Sequence, residues 1–177
     1  MDYFQGVVTE YLRADRAVFV NSEFCIQLNP GANPDTSGPH WYCDAVAVDH
    51  RKHEILLCEI TYAKSLSALQ TRLTGWAANW PGVLAALVRD GALPSDWPVR
   101  PWVFIPEELR TSLEDKIKRL SNVGTGAGQM PFPKITALEE VMPWKYCSWN
   151  RIPRVEDGDA QPAAPEGCNA GEPASHP

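Results

Sequence analysis

The chain has 177 residues, 44% of them hydrophobic, and a formal net charge of −6. That length suits one ordinary domain plus a tail, and the composition is that of a globular protein rather than a fibrous or wholly disordered one. A mildly acidic balance excludes a global basic field that would draw the whole chain to nucleic acid, so such binding would need a local patch, for which Arg13, Arg16, Arg51, Lys52, Lys64 and Arg72 are the candidates.

In chain order, residues 2–14 read as a helix, with Asp2 as N-cap and an apolar stripe of Tyr3, Phe4, Val7, Val8, Tyr11 and Leu12. Two short strands, Ala17–Val20 and Phe24–Leu28, follow, split by Asn21-Ser22-Glu23. Asn29–Pro39 is crowded with turn formers and reads as a loop. Asp44 to Thr61 then reads as two apolar strands joined by a polar turn centred on Arg51-Lys52. Both faces of these strands are apolar, which predicts central strands covered by helices.

Leu66, Leu69, Leu73, Trp76 and Trp80 form one stripe of a long helix, which Pro81 should break or kink. Gly82–Arg89 reads as a further short helix with Gly91 just past its end, and Leu93–Pro101 as a loop. Trp102–Ile105 is a buried strand. Pro106 opens a helix with Glu107 and Glu108 in its first turn and Lys116, Lys118 and Arg119 at its end, a distribution that complements the helix dipole. A strand at Lys134–Thr136 leads into Thr136-Ala-Leu-Glu139, read as the capping box of a last short helix. From about Ile152 the chain turns to Pro, Ala, Gly and acids, too poor in apolar groups to offset its chain entropy. The expected organisation is therefore an α/β domain over 1–150 and a disordered acidic tail over 151–177. The domain would hold a mixed central sheet flanked by helices on both faces, in the order α-β-β-β-α-β-α-β.

The hairpin carries the chemistry. A register symmetric about Arg51-Lys52 sets Asp49 opposite Glu54 and Asp44 opposite Glu59, with opposed Cβ atoms about 4.5–5.5 Å apart. Thr61, two residues after Glu59, would share that face. Carboxylates inside apolar strands must be neutralised, hydrogen-bonded or bound to a cation. Two facing acids suit a hard ion such as Mg²⁺ or Mn²⁺. The plainer alternative is a pair of structural acids bonded to backbone at the hairpin end.

This pattern resembles the PD-(D/E)XK nuclease superfamily, the restriction-endonuclease-like fold: a helix with an acid, a hairpin carrying Asp and then Glu-x-Lys, and a following helix. Asp44 and Glu59-Ile60-Thr61 carry the motif; the rest of the likeness, over roughly residues 1–140, lies in element order. Glu10 corresponds to the helix acid of some branches, and Gln70 looks like the glutamine of helicase-associated members. The family lysine position is Thr61, which cannot carry positive charge; Lys64, at the start of the next helix, could stand in. The resemblance implies a metal-dependent nuclease acting on DNA or RNA. Asp44, Glu59 and the Ile60 carbonyl would hold Mg²⁺ or Mn²⁺, and Lys64 would orient the attacking water or stabilise the transition-state charge. With Thr61 in the lysine position, the alternative is a catalytically degenerate module of the same fold that binds nucleic acid or a protein. Members of the fold that dimerise make self-association a further expectation.

Other residues have plainer readings. His50 and His53 flank a solvated turn, and His40 with Cys43 reads as packed rather than catalytic. Gly124-Thr-Gly126-Ala-Gly128 lacks the lysine of a phosphate-binding loop and reads as a flexible linker. Trp76, Trp80 and Trp102 belong to the expected core, whereas Trp41 and Trp97 could stack on bases. The five cysteines include no Cys-x-x-Cys pair, which favours reduced thiols, with Cys43–Cys58 the one conceivable cross-strand disulfide. The start Met1-Asp2-Tyr3 has neither basic nor apolar character, and no segment is apolar enough to span a membrane. A cytoplasmic protein with no membrane partner is the expectation.

Overall fold

A computed structural model describes residues 2–30 and 38–148. Helix α1 spans Tyr3–Arg13. Its start is fixed reciprocally: Asp2 Oδ1 accepts the Gln5 N–H at 2.8 Å, and Gln5 Oε1 accepts the Asp2 N–H at 2.9 Å. This capping box satisfies two donors that the first helical turn leaves orphaned. Val7, Val8 and Leu12 form its buried stripe, as the sequence periodicity predicts.

Strands β1 (Val18–Gln27), β2 (His40–Asp49), β3 (Glu54–Ile60), β4 (Val99–Ile105) and β5 (Lys134–Ala137) form one sheet in the order β1-β2-β3-β4-β5. The first three pair antiparallel, and β4 and β5 add in parallel. The hairpin register is the expected one, with Asp49 against Glu54 and Ala45 against Cys58. Asp49 makes the turn: its Oδ1 accepts the N–H groups of Arg51 and Lys52, both at 2.9 Å.

The strand boundaries depart most from the sequence reading at β1 and β4. β1 is a single strand, because pairing with β2 on both sides of Glu23 (Ser22 with Ala45, Phe24 with Cys43) overrides the local turn signal. Glu23 takes a left-handed backbone as a result, φ 59°. β4 begins at Val99 rather than Trp102, since β3 offers it a partner from Ile55 onward.

Helix α2 covers Ser67–Ala78 and α3 covers Trp80–Gly91. Pro81 separates them by sitting in the first turn of α3, where its missing N–H is harmless. The left-handed C-cap of α3 is Ala92, φ 49°, not Gly91. A 3-10 turn at Glu107–Leu109 precedes α4, Arg110–Lys118. The expected capping box after β5 does not form. Thr136 Oγ1 instead accepts the buried Trp102 Nε1–H at 2.9 Å, and Glu139 accepts the Glu107 N–H at 3.0 Å. Leu138–Val141 is a 3-10 turn with no side-chain cap.

Helices cover both faces of the sheet. On one, Val46, Ile55, Leu57, Val103 and Ile105 pack against Leu69, Leu73, Trp76, Trp80, Val83 and Leu87 of α2 and α3 and against Leu113 and Ile117 of α4. On the other, Ala47, Leu56, Cys58, Trp102 and Phe104 pack against α1 and the Leu138–Val141 turn. Cys43 and Cys58 are free, buried thiols; Cys43 Sγ donates to the Ala45 and Cys58 carbonyls at 3.1 and 3.2 Å. The glycine stretch is no loose linker. Gly124 N–H donates to the Met130 carbonyl at 3.0 Å, Met130 N–H to the Asn122 carbonyl at 2.9 Å and Gly126 N–H to Gln129 Oε1 at 3.0 Å. The tail predicted over 151–177 lies outside the described residues.

The fit between α2 and β2 leaves no room at Gly75, where an added Cβ would meet Trp41 Cζ2 at 2.8 Å. Gly75→Ala should raise helix propensity yet cost about 1–2 kcal/mol from displacement of Trp41. A urea midpoint that rises instead would show that Trp41 moves aside freely.

Candidate functional site

The site lies where β2 and β3 part, one rung beyond the Ala45–Cys58 pair. Carried one step further, the register sets Asp44 against Glu59. Asp44 also occupies the β1 rung of the left-handed Glu23, between Ser22–Ala45 and Phe24–Cys43. Asp44 Oδ2 accepts the Ile60 N–H at 2.7 Å, a side chain doing what a strand carbonyl would otherwise do. Its Oδ1 accepts from Gln5 Nε2 at 2.9 Å, so α1 reaches Asp44 through the same amide that closes its capping box.

Glu59 is only 3% exposed. Its Oε2 accepts from Arg72 Nη1 of α2 at 2.5 Å, while its Oε1 is buried with no hydrogen-bond partner among the described residues. The two acids are thus engaged by helices that cover opposite faces of the sheet. Burial, and secondly the nearby Asp44 charge, push the Glu59 carboxyl well above the usual glutamate range against the pull of Arg72. Burial also raises Asp44, opposed by the Ile60 N–H, the Arg72 charge and the Gln5 amide. One guanidinium therefore serves two carboxylates, bonded to one and felt by the other.

No family model and no curated protein matches this chain. What the site can do must be read from its own residues. Among the described residues, no group of three or more His, Cys, Asp or Glu side chains is placed to hold a metal ion.

The remaining predicted members do not converge on the acids. Thr61 donates its N–H to the Phe104 carbonyl at 3.0 Å, and its Oγ1 accepts the Ala63 N–H at 3.1 Å. Lys64 is exposed and makes no ion pair among the described residues. Gln70 is half-buried on α2; its backbone is tied to Leu66 and Thr74, and its side chain makes no hydrogen bond among the described residues. Glu10 is exposed on α1, lining a shallow cleft with Tyr3, Gly6, Arg13 and Pro143 rather than facing Asp44. His50 and His53 pack their rings on Trp97, with centroids 5.3 and 4.9 Å away.

Sequence reasoning missed Gln5 and gave Arg72 the wrong task. Arg72 carried a readable signal: it lies three residues after Leu69 and four before Trp76, on the border of the buried stripe of α2. An arginine there, beside a strand that buries a glutamate, is a ready ion-pair partner. Gln5 offered only its place as third residue of a helix capped by Asp2, which points to capping and not to Asp44.

Because one amide both caps α1 and holds Asp44, Gln5→Ala should cost about 1–2 kcal/mol, more than an ordinary cap residue on an exposed helix. Chemical denaturation checks this. The same loss in an Asp44→Ala background, which removes the acceptor, would show that the bond to Asp44 contributes nothing.

Proposed function

We propose that this domain is a catalytically degenerate relative of the PD-(D/E)XK nuclease fold, retained for binding rather than for phosphodiester cleavage. The observation that carries the reading is the Glu59–Arg72 ion pair beside Asp44. In a metal-dependent nuclease the positive charge between the two acids comes from a divalent ion with open positions for water and substrate. Here a guanidinium supplies that charge, has no open coordination position, and is covalently part of the chain. Asp44 is further committed to Ile60 and Gln5. The donor set as it stands fits Mg²⁺ or Mn²⁺ poorly. Thr61, at the family lysine position, bonds to the following turn. The order of elements, the hairpin register and the helical cover on both faces support the fold assignment. No helix among the described residues is long and apolar enough to cross a membrane.

The test is incubation of the full chain with labelled single- and double-stranded DNA and RNA over a series of Mg²⁺ and Mn²⁺ concentrations, beside calorimetric titration with Mn²⁺. Intact substrates and no heat of metal binding are expected. Cutting that needs the metal and is lost in Asp44→Ala and in Glu59→Ala would overturn the reading.

One observation favours the second reading, a metal-dependent nuclease: Glu59 Oε1 is buried and unpartnered, an acceptor without a donor. That reading requires Arg72 to withdraw from Glu59 and Lys64 to turn inward from its exposed position. The same cleavage panel separates the two.

A further inference from the structure

Cations gather at the end of the sheet remote from Asp44 and Glu59. Asp49 folds the β2–β3 turn so that Arg51 and Lys52 stand at its tip. The α1–β1 connection docks on this turn through His50 N–H to the Ala17 carbonyl at 3.0 Å and Arg51 Nη2 to Asp15 Oδ1 at 3.1 Å. That docking brings exposed Arg16 alongside. The parallel ladders then add two more. Arg100 pairs with Leu56 and Lys134 with Trp102, so both leave the sheet on the face that Leu56 and Trp102 share with α1. Arg100 is anchored by its Nε bond to the Phe132 carbonyl at 2.9 Å, and the Lys134 ammonium lies 3.5 Å from the centre of the Trp102 ring.

Arg16, Arg51, Lys52, Arg100 and Lys134 are all exposed. The acids among them are few: Asp15 is bonded to Arg51, Asp49 is buried beneath the turn with an oxygen 3.9 Å from the Lys52 ammonium, and Glu54 is half-buried. The cations are close enough to repel. Burial, and then the charges of Lys52 and Arg100, lower the proton affinity of Lys134 against the opposing pull of Glu54. Five cations outnumber the three acids beside them, and this local positive excess in a chain of net charge −6 is held against its own repulsion, which an external polyanion would relieve.

We infer that this end of the sheet, Arg16, Arg51, Lys52, Arg100 and Lys134, is a binding surface for the phosphate backbone of a nucleic acid. The inference takes its partner from the binding-module reading, but its geometry does not involve the acid site. A folded protein partner fits less well, since such interfaces have an apolar centre, and on the face that carries Arg100 and Lys134 the Trp102 ring is buried beneath Lys134, while the exposed Phe19 ring lies on the opposite face with Val48. The surface keeps Arg16, Arg51 and Lys52 of the cations expected from sequence and adds Arg100 and Lys134; Arg72 is engaged by Glu59, and Lys64 lies at the opposite end of β3, beyond its C-terminal residue Ile60.

The test is fluorescence anisotropy of short labelled DNA, single-stranded and duplex, with the full chain in EDTA, so that any cleavage activity cannot affect the readout. Binding should weaken steeply with salt. Arg16→Ala, Lys52→Ala and Arg100→Ala should each weaken it about 3- to 10-fold and lower the slope of log affinity against log salt by about 0.7–0.9, one phosphate contact apiece. Lys64→Ala and Lys118→Ala, exposed cations elsewhere, should leave both unchanged. Thermal melts of each variant guard against misfolding. Three results would overturn the inference: no salt-dependent binding, loss of binding in Lys64→Ala with the patch variants unaffected, or patch-dependent binding to vesicles of phosphatidylserine and phosphatidylcholine with none to DNA. Cleavage in the Mn²⁺ panel together with patch-dependent binding in EDTA would overturn the degenerate reading and leave this surface standing.

Discussion

Arg72→Ala should destabilise the domain by about 3 kcal/mol near neutral pH, and Glu59→Gln in the same chain should recover most of the loss. Removing one member of a buried ion pair costs about 3–5 kcal/mol because the survivor is left charged and desolvated. The Arg72 side chain is 30% exposed, and that contact with water places the cost toward the lower end of the range. Glu59 cannot turn to solvent, since it is almost fully buried in β3 with one oxygen already unpartnered. Its remaining escape is to take up a proton, so the cost of losing Arg72 should shrink as the pH falls. The side chain introduced by Glu59→Gln would carry no charge to strand, and a neutral amide tolerates the missing guanidinium. The measurement is a double-mutant cycle by urea denaturation at two pH values. Equal losses for Arg72→Ala in the parent and in the Glu59→Gln background would mean that the arginine acts only through packing of its stem on α2. In that event the guanidinium no longer stands in for a metal ion, and the degenerate reading loses its main support.

The fold was largely legible in the sequence because its determinants are local and periodic. The stripe from Leu66 to Trp80, the doubly apolar strands around Asp44 and Glu59, and Pro81 at a helix boundary each act over a few residues. The site was legible in part. Asp44 and Glu59 stand out because a carboxylate in an apolar strand must be answered by something. What answers them was hidden, because Gln5 and Arg72 lie 39 and 13 residues away in chain and meet the acids only after the helices pack. Strand pairing likewise overrode the Asn21-Ser22-Glu23 signal, and it forced a non-glycine residue into a left-handed backbone on the rung of Asp44. The Thr136–Glu139 capping box failed for a similar reason. Trp102 carries an indole N–H that must be satisfied when buried, and it took the threonine hydroxyl for that purpose.

The acid pair should also give the domain an unusual pH dependence. Most carboxylates that matter to a fold are ionised more readily in the native state, as Asp15 is beside Ala17 N–H and Arg51, and such groups make stability fall as acid is added. Glu59 has the opposite sign. Its native proton affinity lies above that of an unfolded glutamate, chiefly from burial and next from Asp44. Below the ordinary glutamate value both states hold the proton, and the full contribution is present. As pH rises from there, the unfolded chain releases its proton first while the native state retains it. Stability from this group then declines by about 1.4 kcal/mol per pH unit, and levels off once the native group ionises as well. Asp44, raised in the same direction, adds to the effect. The difference in unfolding free energy between the parent and Glu59→Gln, followed from about pH 4 to pH 8 across the ordinary carboxylate range and beyond, isolates it from groups such as Asp15. The parent should lose ground to the variant as pH rises. Asp44→Asn should end the decline at a lower pH, by removing the charge that holds the Glu59 proton in place, and Arg72→Ala should extend it upward. A parent that instead gains on Glu59→Gln with rising pH would show that the Arg72 ion pair outweighs burial, with Glu59 ionised throughout.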